Sequence, residues 1–155
     1  MTVEIKYANA SLNMEITLDS LSNGGGWQSK SIDNSLSGAN YVDYHIAGFI
    51  KTGSSPVATG NVKIFAFGSL DGITFDDGAS GVDEVWINSG NAKFLGTIRI
   101  DATADATYEF GPFALKSALG TIPPFWSIGV ENNSGDTLNA TDHKIFRRGI
   151  KYEDV

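Results

Sequence analysis

Short runs in which every second residue is apolar recur along the whole chain, and they restrict it to folds built from half-buried strands. Val42, Tyr44 and Ile46 alternate with Asp43, His45 and Ala47, and Val62, Ile64 and Ala66 alternate with Lys63, Phe65 and Phe67. The same period of two runs through Phe94, Gly96, Ile98 and Ile100, through Tyr108 and Phe110, and through Trp126, Ile128 and Val130. It returns in Phe146, Arg148, Ile150 and Tyr152. A period of two places successive side chains on opposite faces of a pleated strand, whereas a helix would repeat at about 3.6. With Leu12–Leu18 and Trp27–Ile32 added, about eight strands are expected.

Between the strands lie turn clusters: NGGG, TGSSP, LDG, NSGN and NNSGD. Some connections are long, notably Phe75 to Ala92, which favours crossovers between two sheets over simple hairpins. The sequence therefore predicts an all-β chain, a two-sheet β-sandwich of about eight strands and of jelly-roll type. The only helical candidate, Ala114–Gly120, ends at a glycine and reads as one turn. Residues 1–10 lack alternation and read as an N-terminal arm. Residues 11–155 read as a single β-sandwich domain, long enough to bury a core without covalent staples.

Several chemistries are disfavoured by composition. There is no cysteine, which removes thiol catalysis, disulfides and Cys-based zinc sites. Eighteen acids against eleven bases give a net charge of −7, the opposite of what a phosphate-backbone binder needs, so no nucleic-acid partner is expected. No run of apolar residues is long enough for a membrane-spanning helix, so no membrane association is expected. The opening residues carry Glu4, Lys6 and Glu15 and do not read as a signal peptide, which points to synthesis in the cytoplasm of the producing cell.

Catalytic patterns are equally sparse. The two histidines, His45 and His143, are not accompanied by a G-x-S-x-G elbow, an H-x-H pair or an H-E-x-x-H helix. His45 reads as a mid-strand structural histidine and His143 as an exposed strand-end residue. No pair of carboxylates is singled out for glycoside hydrolysis. The chain is accordingly read as non-enzymatic, with no catalytic residue, no cofactor and no metal ligand assigned.

The stretch Ser69–Phe75, SLDGITF, resembles the Asp-box turn of sialidases, S-x-D-x-G-x-T followed by an aromatic, but is one residue short and occurs once. It reads as a hairpin turn, with positive φ at Gly72. From Ile64 to Ala92 there is no Lys or Arg, while Asp71, Asp76, Asp77, Asp83 and Glu84 fall there. This acidic loop does not have EF-hand spacing. Three readings stay open for it: a calcium loop, a patch that meets basic groups of a neighbouring copy, or a solvated surface. Trp27, after three glycines, and Trp86, inside the acidic loop, are candidate glycan contacts, since an aromatic face can stack on a sugar. Trp126 falls in phase with Ile128 and Val130 and reads as core.

The basic counterpart lies at the other end. Lys144, Phe146, Arg147, Arg148, Ile150, Lys151 and Tyr152 form a strand with cations on both faces, which reads as a charge-protected sheet edge. These seven residues are the candidate interface, suited to an acidic partner surface.

Two stretches, Lys51–Gly78 (KTGSSPVATGNVKIFAFGSLDGITFDDG) and Ile122–Thr141 (IPPFWSIGVENNSGDTLNAT), resemble structural proteins of tailed bacteriophages. They are similar to the small jelly-roll capsid decoration, or cement, proteins. The likeness is one of strands and turns and transfers no site residue. It implies a homo-oligomer, a trimer by preference, that binds the major capsid protein on the outside of an icosahedral shell and stabilises it. It also implies localisation in the virion and an N-terminal arm that orders on the shell. A carbohydrate-binding jelly-roll module on a phage tail, baseplate or capsid surface is the alternative.

Overall fold

The computed structural model describes residues 2–35 and 40–154. Eleven strands form two antiparallel sheets. In chain order they are β1 (Val3–Tyr7), β2 (Leu12–Asn13), β3 (Gly26–Gln28), β4 (Ile32–Asp33), β5 (Asp43–Lys51) and β6 (Asn61–Ser69). They continue with β7 (Glu84–Val85), β8 (Lys93–Arg99), β9 (Thr107–Ala114), β10 (Phe125–Asn133) and β11 (Lys144–Asp154). One helical turn, α1 (Leu115–Leu119), ends at Gly120, which has a φ of 75°. The all-β sandwich read from the alternation is what the chain builds.

One sheet runs β1-β11-β5-β9, with β2 also beside β11; the other runs β7-β3-β10-β6-β8, with β4 also beside β10. Among the long strands from β5 onward the chain changes sheet at every step except β6 to β8. Side chains from the two inner faces meet between the layers. Ile46 and Ile50 of β5 and Ile145 of β11 face Val62, Ile64 and Ala66 of β6 and Trp126, Ile128 and Val130 of β10. Each large apolar side chain sealed there is worth about 1.5–3 kcal/mol relative to exposure. Trp126 is fully buried, as its phase indicated.

The sequence reading and the structure part company at three strands. Only the first two residues of Leu12–Leu18 enter a ladder; the rest runs as extended chain that buries Met14 and Leu18. Trp27–Ile32 splits into β3 and β4 because Ser29 interrupts the pairing: its backbone N–H donates to the Ile128 carbonyl, and its hydroxyl accepts from the Ile128 N–H. The largest departure concerns β11. It is not an edge strand, since β5 pairs along one side and β1 and β2 along the other. Two of its four cations, Arg148 and Lys151, are held by neighbours. Lys151 and Lys6 of β1 share the Glu153 carboxylate, and Arg148 donates through Nε to the Ala8 carbonyl at 2.9 Å.

Residues 3–7, in the segment expected as an arm, therefore pair in full register with β11, from Val3 opposite Asp154 to Tyr7 opposite Ile150. Met1 lies outside the described residues. All five side chains of β1 are exposed, and past Ile150, among the described residues, β11 pairs with β1 alone, so this end of the sheet is a two-stranded ribbon.

Candidate interaction surface

The long connection after β6 folds back over the outer face of its own sheet. Phe65 and Phe67 of β6 point outward, yet both are buried, because Phe75, Ala79 and Trp86 close over them. Ring centroids of Trp86 and Phe67 are 4.9 Å apart and those of Trp86 and Phe65 are 5.4 Å apart, in tilted or edge-on geometry. Residues 70–92 thus form a lid with a second small core. The signal for it was the unbroken apolar run Ile64–Phe67, which marks a strand covered on both faces.

The acidic residues of this lid are spent on building it. Asp71 receives the backbone N–H groups of Ile73 (2.8 Å) and Thr74 (2.7 Å) and the hydroxyls of Ser69 and Thr74. Those donors, the Thr74 N–H foremost, hold its carboxyl well below the usual carboxylate range. Gly72 adopts a φ of 74°, as expected for the turn. The turn is not a hairpin, however. β6 pairs with β10 and β8, and the chain after Phe75 crosses to the far edge of the sheet, where β7 pairs with β3.

Asp76 accepts from the Gly68 N–H and the Lys93 ammonium. Burial works to raise the Asp77 carboxyl, but hydrogen bonds from Ser89 and Asn91 outweigh it and hold the group low. Asp83 ties three distant segments together, accepting from the Thr17 N–H (2.8 Å), the Thr17 hydroxyl (2.8 Å) and the Trp27 indole N–H (2.6 Å). Glu84 accepts from the Ser80 hydroxyl. Among the described residues no three His, Asp or Glu side chains are grouped as a metal would require. Asp71 and Asp76 line a cleft of about 520 Å³ with Lys93 and Pro123.

Neither candidate glycan tryptophan offers a free ring. Trp86 is 3% exposed inside the lid core, which corrects its assignment as a surface residue. Trp27 is half-buried against the main core with its N–H held by Asp83. His143 is half-buried and accepts at Nδ1 from the Lys51 N–H, which leaves Nε2–H to donate to the Asn139 carbonyl at 2.7 Å. It is a structural tie rather than the exposed strand-end residue expected.

Among the described residues, no segment forms a lid over the outer face of the other sheet. Here β11 alternation separates the seven candidate interface residues. Lys144, Phe146, Arg148, Ile150 and Tyr152 share the outer face, while Arg147 and Lys151 lie on the inner side with Ile145. Arg147 is half-buried, and its Nη1 has no hydrogen-bond partner among the described residues. Beside the outward five stand His45 and Phe49 of β5 and Tyr7 of β1. The Lys144 ammonium lies 5.5 Å over the Phe146 ring and the Arg148 guanidinium 5.6 Å over Tyr7. Tyr7 also packs on His45 at 5.5 Å, and Phe49 lies 6.4 Å from Phe146. Among the described residues neither Lys144 nor Arg148 forms a salt bridge. Their charge is thus held over aromatic rings and left available to a partner. A recess of about 280 Å³ opens between Tyr7, His45, Pro112, Phe146 and Arg148.

No protein-family model, no curated protein and no solved structure matches the chain.

Proposed function

We propose that the protein is a non-enzymatic structural component of a tailed-phage virion, a capsid decoration protein that seats the open face of the β5–β11 sheet on the major capsid protein. The observation that carries this reading is the contrast between a sealed outer face and an open one furnished with aromatic rings and unpaired cations. Aromatic and arginine side chains on one continuous face are what protein interfaces concentrate, and unpaired cations add steering toward an acidic partner.

The strand order supports the jelly-roll reading. With β1, β4 and β7 set aside, the sheets run β2-β11-β5-β9 and β3-β10-β6-β8, so that the chain winds between layers as two Greek keys do. The resemblance of residues 51–78 and 122–141 to phage decoration proteins points the same way, and it carries the proposals of a trimer and of a virion location. Carbohydrate binding, the alternative, loses its two proposed contacts, because Trp86 is buried and Trp27 is engaged.

The test is addition of purified protein to emptied capsids of the parent virus, followed by sedimentation. Stoichiometric co-sedimentation is expected with the wild type, and Arg148→Glu is expected to abolish it while changing stability by about 1 kcal/mol or less. Recovery with tails alone would overturn the reading.

A further inference from the structure

The ribbon made by β1 and the end of β11 is patterned inside out. Elsewhere in this sheet the inner side is apolar apart from Arg147, and the outer side is mixed. In the ribbon, Glu4, Lys6, Lys151 and Glu153 share the side continuous with the inner face, where Lys6 and Lys151 both pair with Glu153. Val3, Ile5 and Tyr7, which are 57%, 67% and 50% exposed, stand with Tyr152 on the outer side. Tyr7 packs on His45 and under Arg148, but among the described residues nothing covers Val3 or Ile5, which stand in water. Moreover, among the described residues no strand pairs with the second edge of β1. Its backbone N–H and C=O groups are offered along that edge, a form natural proteins usually guard against.

The sequence of β1 is complementary to its own reverse. Read in both directions from Ile5, Val-Glu-Ile-Lys-Tyr sets Glu4 against Lys6 and Val3 against Tyr7. We propose that two copies of this protein associate through the free edges of β1, antiparallel and centred on Ile5, extending the sheet across a two-fold axis. In that register Ile5 faces its symmetry mate, Val3 of each copy faces Tyr7 of the other, and two Glu4–Lys6 ion pairs form on the opposite side. Apolar pairs on one face and opposite charges on the other are the combinations that stabilise cross-strand neighbours. An interface between identical patches must be self-complementary about its axis, and this strand is. The pairing does not rest on the shell-binding reading, because it is measured on the free protein. The trimers implied by the phage resemblance would use a different surface.

The test is sedimentation equilibrium of the wild type, of Glu4→Lys, of Lys6→Glu and of an equimolar mixture of the two variants. The wild type is expected to dimerise. Each single variant brings like charges together twice and is expected to weaken dimerisation about tenfold. The mixture restores both ion pairs across a mixed dimer and is expected to recover wild-type affinity. Because the chain has no cysteine, Ile5→Cys gives a second readout. Directly opposed strand residues lie within disulfide reach, so Ile5→Cys is expected to cross-link on mild oxidation, while Val3→Cys is not. A monomeric wild type, a dimer indifferent to both charge variants, or cross-linking through Val3→Cys in place of Ile5→Cys would each overturn the proposal. A wild type that stays monomeric until it meets capsids would assign the edge to the shell protein instead.

Discussion

The two outer faces of the sandwich solve one problem differently. On β6 the outward residues Phe65 and Phe67 are covered by the chain's own residues 70–92, with Trp86 wedged against both rings. On β5 and β11 the outward residues Phe49, Phe146 and Arg148 are left with one another and with Tyr7. The first face is finished within the chain, and its acids serve as hubs that fasten the cover. The second face keeps its cations over aromatic rings and without carboxylate partners. Apolar surface covered from within contributes to folding, whereas surface left open is available to association.

This contrast is broken most directly at Trp86. Trp86→Ala is expected to cost about 3–5 kcal/mol in denaturant unfolding, since it empties the centre of the lid core. If it were tolerated as well as a surface change, the lid would be only a loop lying on the sheet. Next in size is Asp83→Ala, expected to cost about 1–3 kcal/mol because Thr17 and Trp27 lose a charged acceptor. Protease cleavage within residues 70–92 should speed up in parallel.

Asp71 gives a smaller effect with a pH signature. Its carboxyl sits below the unfolded value, so the stability it adds is present above about pH 4 and is lost as pH falls through the folded value. The wild-type melting temperature should therefore fall more steeply below about pH 4 than that of Asp71→Asn, which lacks the titrating group. Parallel curves would remove Asp71 from the lid's fastening. Smallest of all, Arg148→Glu and Phe146→Ser on the open face should change stability by about 1 kcal/mol or less. A loss as large as that of Trp86→Ala would mean that this face, too, is a core.

Strands with one wet face were plain in the sequence. Val62, Ile64, Ala66, Ile128 and Val130 all fall where period two placed them. Less visible was what pairs with what, because strand pairing joins residues far apart in the chain. β11 carries cations on both faces and so looked like an edge, but the partner that hides its flank is β1, whose Val3, Ile5 and Tyr7 alternate with Glu4 and Lys6 over only five residues, all exposed. The lid was half legible: the acidic stretch was evident, and the aromatic pair on the wrong face of β6 was on view without its cover. Asp83 could not be found from spacing at all, since its three bonds reach Thr17 and Trp27 across more than fifty residues. Of the candidate interface, alternation within β11 was enough to divide Phe146 and Arg148 from Arg147 and Lys151, though not to say which set faced inward.

The pairing of β1 with β11 also has a cost in time. A ladder that joins Tyr7 to Ile150 closes a loop of roughly 140 residues, so it is among the last contacts the chain can complete. During synthesis β1 emerges early and waits, with Val3, Ile5 and Tyr7 uncovered, until β11 has left the ribosome. Over that interval the β11 of a second chain whose own β1 has not yet docked is as good a partner as its own. Crowded expression therefore favours strand-exchanged assemblies, and dilution favours the closed single chain.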